Sequence, residues 1–292
     1  MFKLTAKITV TGTKTWVFRH VSECEIERDI EKITSTCKLR LPKRTKWANE
    51  SEIPVRRGDK IKVELGYDER LETVFTGYVR TVGAKVPVEI SCEDEMFTLK
   101  MLPAKKKTYS SGNLQEILDD QIGGACRTKV HGRQNIGQYT VNSDTVAQLL
   151  GEFAESGILS FFRDGVLYCG AMFDHEAEIT GLTPVYRFGD GGNIIDDSSL
   201  EQNSAEDTRL KIMAKGTDRD GKKISCEVGD SEGEIRTFFK YNTTEEELKA
   251  EAKGKLAEWK VDGLTGSFST FGDHPRWLLD VIKIVIEGSG YI

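Results

Sequence analysis

The most informative stretch of this 292-residue chain is Val88-Glu-Ile-Ser-Cys-Glu-Asp-Glu-Met-Phe-Thr-Leu-Lys-Met101. It begins with the apolar and polar alternation of a half-buried strand, passes through three successive acids and ends in a second apolar run. Acids at the end of a strand commonly accept backbone hydrogen bonds in a turn, whereas glycoside hydrolysis needs two acids at opposed positions. We therefore interpret Glu93, Asp94 and Glu95 as turn residues and not as paired catalytic carboxylates.

The same alternation runs through the rest of the first hundred residues. Leu4, Ala6, Ile8 and Val10 alternate with polar residues, which is the period of a strand with one buried face. Further along, Pro54-Val-Arg-Arg-Gly-Asp59 introduces the alternating run Lys60-Ile-Lys-Val-Glu-Leu-Gly66, and Phe75-Thr-Gly-Tyr-Val79 follows. We predict strands from Phe2 to about Met101, interrupted by a loop from Arg40 to Ile53.

Two helices are predicted beyond Pro103, after a polar connector over residues 105–112. Asn113 is a suitable N-cap for the first, with Glu116 at the N3 position, and Gly123-Gly124 ends it. The second begins at Ser143 or Asp144 and ends at Gly157. The residues that these helices are expected to bury are Leu114, Ile117, Leu118, Ile122, Val146, Leu149, Leu150 and Phe153.

A hairpin follows the second helix. Asp164-Gly165 is a residue pair favoured by type I′ turns, and it lies between the apolar runs Ile158 to Arg163 and Val166 to Cys169. Residues from about 104 to 175 are therefore predicted to form a small α+β region.

The remaining third of the sequence is again rich in strand patterns, with one helix. Thr244 and Glu247 have the spacing of a capping box, and the acids of the first turn suit the helix dipole. A weak internal repeat links the two ends of the chain: Pro54-x-x-x-x-Asp59-x-Ile61-Lys62-Val63 matches Pro275-x-x-x-x-Asp280-x-Ile282-Lys283-Ile284. Both copies introduce an alternating strand, which indicates two related β regions.

Composition excludes some classes of function. The net charge of −6 argues against a protein that mainly binds phosphates, and no apolar stretch is long enough to predict a membrane span. The six cysteines lie far apart without a Cys-x-x-Cys pair, so we expect reduced thiols in the core. They are Cys24, Cys37, Cys92, Cys126, Cys169 and Cys226.

No local motif supports catalysis. Gly229-Asp-Ser-Glu-Gly233 has the Gly-x-Ser-x-Gly pattern of a hydrolase, but a strand pattern and not a helix follows it, so we predict a hairpin turn. Asp218-x-Asp220-Gly221 lies between strands and is interpreted as a turn, not as part of a calcium loop. The histidines occur singly, at positions 20, 131, 175 and 274.

Taken in order, several motifs resemble those of phage tail baseplate hub proteins, which are related to the phage late control protein D and to the hub half of the type VI secretion spike protein VgrG. The motifs are Gly58-Asp59, Phe75-Thr-Gly-Tyr-Val79, Cys92-Glu-Asp-Glu-Met96, the Leu114/Leu118 helix, the Phe161 to Cys169 hairpin, Asn193-Ile-Ile-Asp-Asp197, Ala205-Glu-Asp207, Gly229-Asp230 and Gly263-Leu-Thr-Gly-Ser-Phe268. The resemblance implies a mainly β fold with α+β inserts. Two tube-type β-barrels, at residues 1–103 and 176–292, would flank a small α+β domain at residues 104–175, and the second barrel would include one helix.

The resemblance also implies a structural function. In hubs of this family, three subunits form a ring of six barrels that adapts the sixfold tail tube to the threefold central spike. The expected partners are two further copies of the chain, the tail tube protein, the spike protein and other baseplate proteins, with no membrane and no specific nucleic acid sequence. The expected location is the virion tail, after assembly in the cytoplasm of a bacterial host.

Assembly requires no catalytic residue, cofactor or metal, and none is predicted. Large obligate interfaces are apolar at the centre, so Trp16, Trp47 and Trp277 are candidate interface anchors, although the sequence does not separate them from core residues. Trp47 anchors either the predicted loop or an interface.

Two features depart from the family. Leu279 replaces the glycine that the first copy of the repeat has at Gly58, and family members continue with further strands beyond the position of Gly290-Tyr-Ile292. We expect either a second barrel completed by a neighbouring subunit or a truncated product, and a membrane-piercing tip on a separate protein. The alternative functions are a tail-associated peptidoglycan hydrolase and the hub of a bacterial contractile injection system.

Overall fold

The computed structural model describes residues 3–42, 54–131, 135–156, 158–171, 184–188, 191–204, 209–218, 222–260, 262–272 and 276–285. Strands far outnumber helices, which confirms the predicted mainly β fold class. No helix in the described ranges has the length and apolar character needed to cross a membrane.

The first region is a single antiparallel sheet of seven strands. They are β1 (Leu4–Thr11), β2 (Thr15–Phe18), β3 (Glu23–Glu27), β4 (Thr36–Arg40), β5 (Lys60–Tyr67), β6 (Arg70–Val82) and β7 (Glu89–Glu93). Their spatial order is β2-β1-β5-β6-β7-β4-β3. The strands predicted around Lys60 and Phe75 are thus confirmed as the adjacent pair β5 and β6 at the centre of the sheet.

This sheet must curl strongly. Its two edge strands, β2 and β3, are consecutive in the chain, and only five residue steps separate Phe18 from Glu23. Five steps reach at most about 18 Å, whereas the edges of a flat seven-stranded sheet lie about 29 Å apart. The edges therefore approach each other, and all seven strands contribute to one core that contains Ile8, Val63 and Phe75.

The quoted stretch ends the first sheet and begins the second core. Glu89 to Glu93 form β7, but the second apolar run is a one-turn helix, α1 (Met96–Leu99), and not a strand. Met96 and Leu99 are fully buried in the core of the middle region, which also contains Leu114, Leu149 and Phe153. The three acids thus lie between the core of the first sheet and that of the middle region.

In the middle region, the described residues form two helices and two small sheets. The helices are α2 (Leu114–Ile122) and α3 (Val146–Glu155), and the strands are β8 (Thr108–Asn113), β9 (Arg127–Val130), β10 (Asn135–Thr140), β11 (Leu159–Arg163) and β12 (Val166–Ala171). β8 pairs with β10, and the other sheet has the order β11-β12-β9. All eight apolar residues predicted to lie in the helix cores are buried there.

Most local signals in the middle region are confirmed, with three corrections. Asn113 caps α2 as predicted, and its side chain accepts a hydrogen bond from the backbone N–H of Gln115. The side chain of Glu116 does not complete a capping box with it. The cap of α3 is Thr145, which forms a capping box with Gln148, so the predicted start at Ser143 or Asp144 is one to two residues early. The predicted polar connector is wrong from Thr108 onward, because backbone pairing with β10 makes that segment a strand.

The described residues of the last region form three small sheets and one helix. Its elements are β13 (Val185–Arg187), β14 (Ile194–Asn203), β15 (Leu210–Thr217), β16 (Lys223–Gly229), β17 (Glu234–Lys240), α4 (Glu245–Trp259), β18 (Gly263–Thr270) and β19 (Lys283–Val285). β13 pairs with β19, β14 pairs with β18, and the third sheet has the order β16-β15-β17. α4 begins with the predicted Thr244 and Glu247 capping box and packs through Leu248 and Ala252 onto the third sheet.

Candidate functional site

Asp94 forms the corner between the first two cores. Its carboxylate accepts hydrogen bonds from the backbone N–H of Ser35 at 2.8 Å and from that of Met96 at 3.0 Å, and its own N–H donates to the carbonyl oxygen of Ser35. Burial raises the pKa of Asp94 to about 6 despite these two donors. The predicted turn role is thus confirmed for Asp94, whose carboxylate and carbonyl both accept from the next residues of the chain.

The other two acids tie the corner to neighbouring elements. Glu93 is buried and forms ion pairs with Arg80 at 3.2 Å and Lys100 at 2.8 Å. Glu95 accepts a hydrogen bond from the hydroxyl of Thr76 at 2.7 Å. Glu93 and Glu95 are thus held in place by Thr76 and Arg80 of β6 and by Lys100, which follows α1.

The Phe75-Thr-Gly-Tyr-Val79 motif packs directly on this corner. Tyr78 lies opposite Glu93 in the β6–β7 pair, and its ring stacks on Phe97 with 5.4 Å between centroids. A Cβ atom at Gly77 would lie 2.0 Å from the carbonyl oxygen of Glu93, so only glycine allows this approach. Two motifs that are separate in the sequence therefore form one structural unit.

The internal repeat is confirmed by its hydrogen bonds. The Asp59 carboxylate accepts from the N–H of Arg56 at 2.8 Å, and the Asp59 N–H donates to the Arg56 carbonyl at 3.2 Å. The second copy repeats this turn, since Asp280 accepts from the N–H of Trp277 at 3.0 Å and donates to its carbonyl at 3.2 Å. The residues before the two aspartates also match, because Gly58 and Leu279 both have positive φ, +90° and +66°.

The second copy of the turn lies at a junction of all three regions. The guanidinium of Arg28, which follows β3, lies 4.2 Å from the ring centroid of Trp277, and that of Arg163 at the end of β11 lies 5.8 Å from it. Arg163 forms an ion pair with Asp280 at 2.8 Å. We call Arg28, Arg163, Trp277 and Asp280 the arginine junction.

Further contacts hold the arginine junction in place. Arg28 donates to the carbonyl oxygens of Val74 in β6 and of Arg276, and Arg276 donates to the hydroxyl of Tyr186 at 2.7 Å. Burial lowers the pKa of Arg28, opposed by the charges of Asp94, Asp164 and Asp280. The junction therefore fixes the last region against the other two through a cation enclosed by aromatic and carbonyl groups.

The three tryptophans proposed as interface anchors have different positions. Trp16 is half-buried on β2 and packs against the core of the first sheet. Trp277 is half-buried in the arginine junction, where Arg28 and Arg163 lie against its ring. Trp47 lies outside the described residues. Among the described residues, the large apolar side chains that are exposed are Leu4, Val17, Val86, Met101, Val185, Ile195, Ile235, Phe271 and Val281.

The Gly229 to Gly233 segment is not a hydrolase site. A strand, β17, follows the serine, but the predicted hairpin turn is wrong because β16 and β17 lie on opposite sides of β15. The segment crosses the beginning of β15, and a Cβ at Gly229 would lie 2.2 Å from the carbonyl oxygen of Leu210. At Gly233 it would lie 2.7 Å from Leu210 backbone atoms, so backbone packing explains both glycines.

The other candidate motifs have structural roles or lie outside the described ranges. Asp218 accepts the N–H of Lys222 at 2.8 Å, as expected for a turn, while residues 219–221 are not described. His20 is exposed and His131 half-buried, and the remaining two histidines are not described. In the part of the chain that is described, no group of three or more His, Cys, Asp or Glu residues could hold a metal ion.

The cysteines are free thiols, as predicted. Three are fully buried, and two of these, Cys37 and Cys92, lie directly opposite each other on β4 and β7. Burial raises the pKa of Cys92 to about 12, which keeps this thiol protonated and unreactive at neutral pH.

Comparison with solved structures supports the same architecture. The tail protein from Neisseria meningitidis MC58 superposes with a TM-score of 0.63 at 15% identity, covering 99% of this chain and 88% of that chain. The 43 kDa tail protein of prophage MuSo2 from Shewanella oneidensis superposes with a TM-score of 0.60 at 18% identity, covering 98% and 90%. A Francisella PdpA–VgrG complex superposes more weakly, with a TM-score of 0.48 at 11% identity over 83% and 40%.

No protein-family model and no curated protein matches the sequence. The matches to the two tail proteins nevertheless extend over nearly all of this chain and most of each tail protein. The resemblance suggested by the motifs is therefore confirmed at the level of the fold: this chain has the fold of phage and prophage tail proteins.

Proposed function

We propose that this protein is the structural baseplate hub of a phage or prophage tail, in which three copies form a ring between the sixfold tail tube and the threefold central spike. The observation that carries the proposal is the superposition of 99% and 98% of the chain on two tail proteins. Coverage of this extent means that the relationship concerns the arrangement of all three regions and not one small domain.

The repeated turn supports the symmetry of the proposed ring. The Asp59 and Asp280 turns have the same pair of hydrogen bonds, and one lies in the first region and the other in the last. Two related β regions per chain give six in a trimer. Such a ring would present approximate sixfold symmetry to a tail tube while keeping threefold symmetry for a spike.

We propose domains at residues 1–103, 104–175 and 176–292, with one refinement from the three cores. The sheet of β15, β16 and β17 has its own core with α4. The parts of the last region that correspond to a second tube-type barrel would then be the β13–β19 and β14–β18 pairs. Strand β19 begins just after the Asp280 turn.

The outward apolar side chains suit a protein that assembles with others. Leu4 is 76% exposed, Val86 69% and Phe271 56%, on different parts of the first and last regions. In the proposed ring these side chains are candidates for the apolar centres of subunit interfaces. We propose homotrimer formation, contacts with tail tube, spike and other baseplate proteins, a structural role without catalysis, and a location in the virion tail after assembly in the host cytoplasm.

Light scattering on the purified chain tests the proposal. A trimer would have a mass of three times 32.7 kDa. If Phe271 lies in a subunit interface, Phe271→Lys should weaken association. Glu258→Lys, at an exposed position of α4, is the control and should leave association unchanged. A mass of 32.7 kDa at all concentrations, with and without co-expressed tail tube and spike proteins, would contradict the trimer.

A further inference from the structure

The outer strand of the third sheet in the last region has an open edge. β17 pairs in parallel with β15 from Glu234 to Lys240, and it has no second partner strand within the described residues. An edge strand of this kind presents a row of backbone N–H and C=O groups that can pair with another strand.

A groove of about 660 Å³ lies along this edge. One side is formed by five consecutive residues of β17, from Glu234 to Phe238. Successive side chains of a strand point to opposite faces of a sheet, so a groove that contacts all five borders the strand edge and not one face. The remaining lining residues are Ile30, Glu31, Ala154, Glu155, Leu159 and Trp259.

The groove contains apolar surface beside the open edge. Ile235 is 58% exposed, although it lies on an edge strand, where apolar exposure favours pairing with other chains. Leu159 and Trp259, which are half-buried, also line the groove. An incoming strand could therefore cover apolar side chains while it pairs with the backbone.

The charge of the groove is negative. Glu31 and Glu155 are exposed and form no ion pair in the described structure, whereas the one cation of the lining, Arg236, is bound to Glu234 at 3.1 Å. The same two glutamates also line an adjoining cleft. The cations of that cleft are bound elsewhere: Lys32 contacts Glu27 and Asp29, and Arg80 and Lys100 contact Glu93.

We propose that this groove binds an extended segment of a partner protein as a fourth strand on the edge of β17, with apolar side chains at alternate positions and lysine or arginine between them. Backbone pairing supplies the binding mode, which is strand addition. Glu31 and Glu155 contact the basic side chains, and Ile235 contacts the apolar ones. This proposal does not depend on the hub assignment.

The test uses a labelled peptide with the sequence Lys-Val-Lys-Val-Lys-Val-Lys and measures its fluorescence anisotropy with the full-length protein at low ionic strength. We expect saturable binding, and a loss of affinity of about tenfold in the double variant Glu31→Gln/Glu155→Gln. Glu258→Gln, on α4 and outside the groove lining, is the matched control and should bind as the wild type does. Equal urea midpoints would show that the variants are folded.

Two further peptides separate strand addition from general attraction between a basic peptide and an acidic protein. Methylation of alternate backbone nitrogens leaves charge and side chains unchanged but prevents pairing along one edge, so it should abolish binding in one of the two registers. Glu-Val-Glu-Val-Glu-Val-Glu should not bind. Equal affinity for both N-methylated registers, for the acidic peptide, or for the double variant and wild type would overturn the proposal.

Discussion

Asp280 holds two parts of the arginine junction together, and its removal should show how strongly the last region depends on that contact. One carboxylate oxygen accepts from Arg163 at 2.8 Å, and the other accepts from the backbone N–H of Trp277 at 3.0 Å. Asp280→Ala removes both bonds. The Arg163 and Asp280 side chains are only 16% and 12% exposed, so solvent replaces the lost partner poorly.

The expected cost follows from these two contacts. A backbone hydrogen bond to a charged group contributes about 1.5–3 kcal/mol, and breaking a fully buried ion pair costs about 3–5 kcal/mol. Because both side chains keep some exposure, we expect Asp280→Ala to lower the free energy of unfolding by about 2–4 kcal/mol. Asp59→Ala breaks the equivalent turn bond to Arg56 and is the matched control, with an expected cost of about 1–2 kcal/mol.

Urea unfolding and a double-mutant cycle measure the junction separately from the turn. The coupling free energy between Arg163→Ala and Asp280→Ala should be about 1–3 kcal/mol. Hydrogen exchange of the amides of β19 should also accelerate in Asp280→Ala. A coupling below about 0.5 kcal/mol, or equal costs for Asp280→Ala and Asp59→Ala, would refute the argument that the junction fixes the last region.

Gly77→Ala should lower the free energy of unfolding in urea by about 3 kcal/mol or more, because its Cβ would lie 2.0 Å from the Glu93 carbonyl oxygen. Gly254→Ala, at an open position in α4, should instead raise it by about 0.5–1 kcal/mol. Equal effects of the two substitutions would contradict the reasoning. Asp94 has a folded-state pKa of about 6, above its ordinary value, so its contribution to stability is present below the ordinary pKa and is lost as pH rises through 6. The stability of the wild type relative to Asp94→Asn should therefore fall by about 2–3 kcal/mol between pH 4 and pH 7, and a rise over that range would be the opposite of our expectation. In native protein, Cys37 and Cys92 should react with a thiol reagent only at the rate of unfolding, whereas prompt labelling of either would show that β4 and β7 separate in the folded state.

The elements that the sequence predicted well are those with local signals. Asp164 and Gly165 have φ of +51° and +71°, as a type I′ turn requires, and the Thr244 and Glu247 capping box forms as expected. In each case the residues that specify the structure are neighbours in the chain. Local backbone conformation and local hydrogen bonds decide the outcome, so sequence spacing is sufficient.

The features that the sequence did not predict depend on distant contacts. β8 consists of polar residues and is a strand because β10 pairs with it. The Gly229 to Gly233 segment crosses β15 because β17 pairs in parallel on the far side, which alternation does not encode. Arg28 contacts Arg276 across 248 positions, and no spacing rule links them.

The repeat was detectable from the sequence, but its meaning was not. The sequence showed that Asp59 and Asp280 occupy matching positions, and the structure shows that both accept the same backbone hydrogen bond. The second turn also positions Trp277 in the arginine junction, a role that the first turn, with Arg56 at the matching position, does not have. Trp277, one of the three candidate interface anchors, thus also contacts two other regions of its own chain.

Electron microscopy of the purified protein, with averaging of end-on views, tests the proposed hub most directly. We expect a closed ring with threefold symmetry in which six similar densities surround a central channel, two from each chain. A monomer, an open filament, or a ring of another symmetry in the presence of tail tube and spike proteins would contradict the proposal that this chain adapts a sixfold tube to a threefold spike.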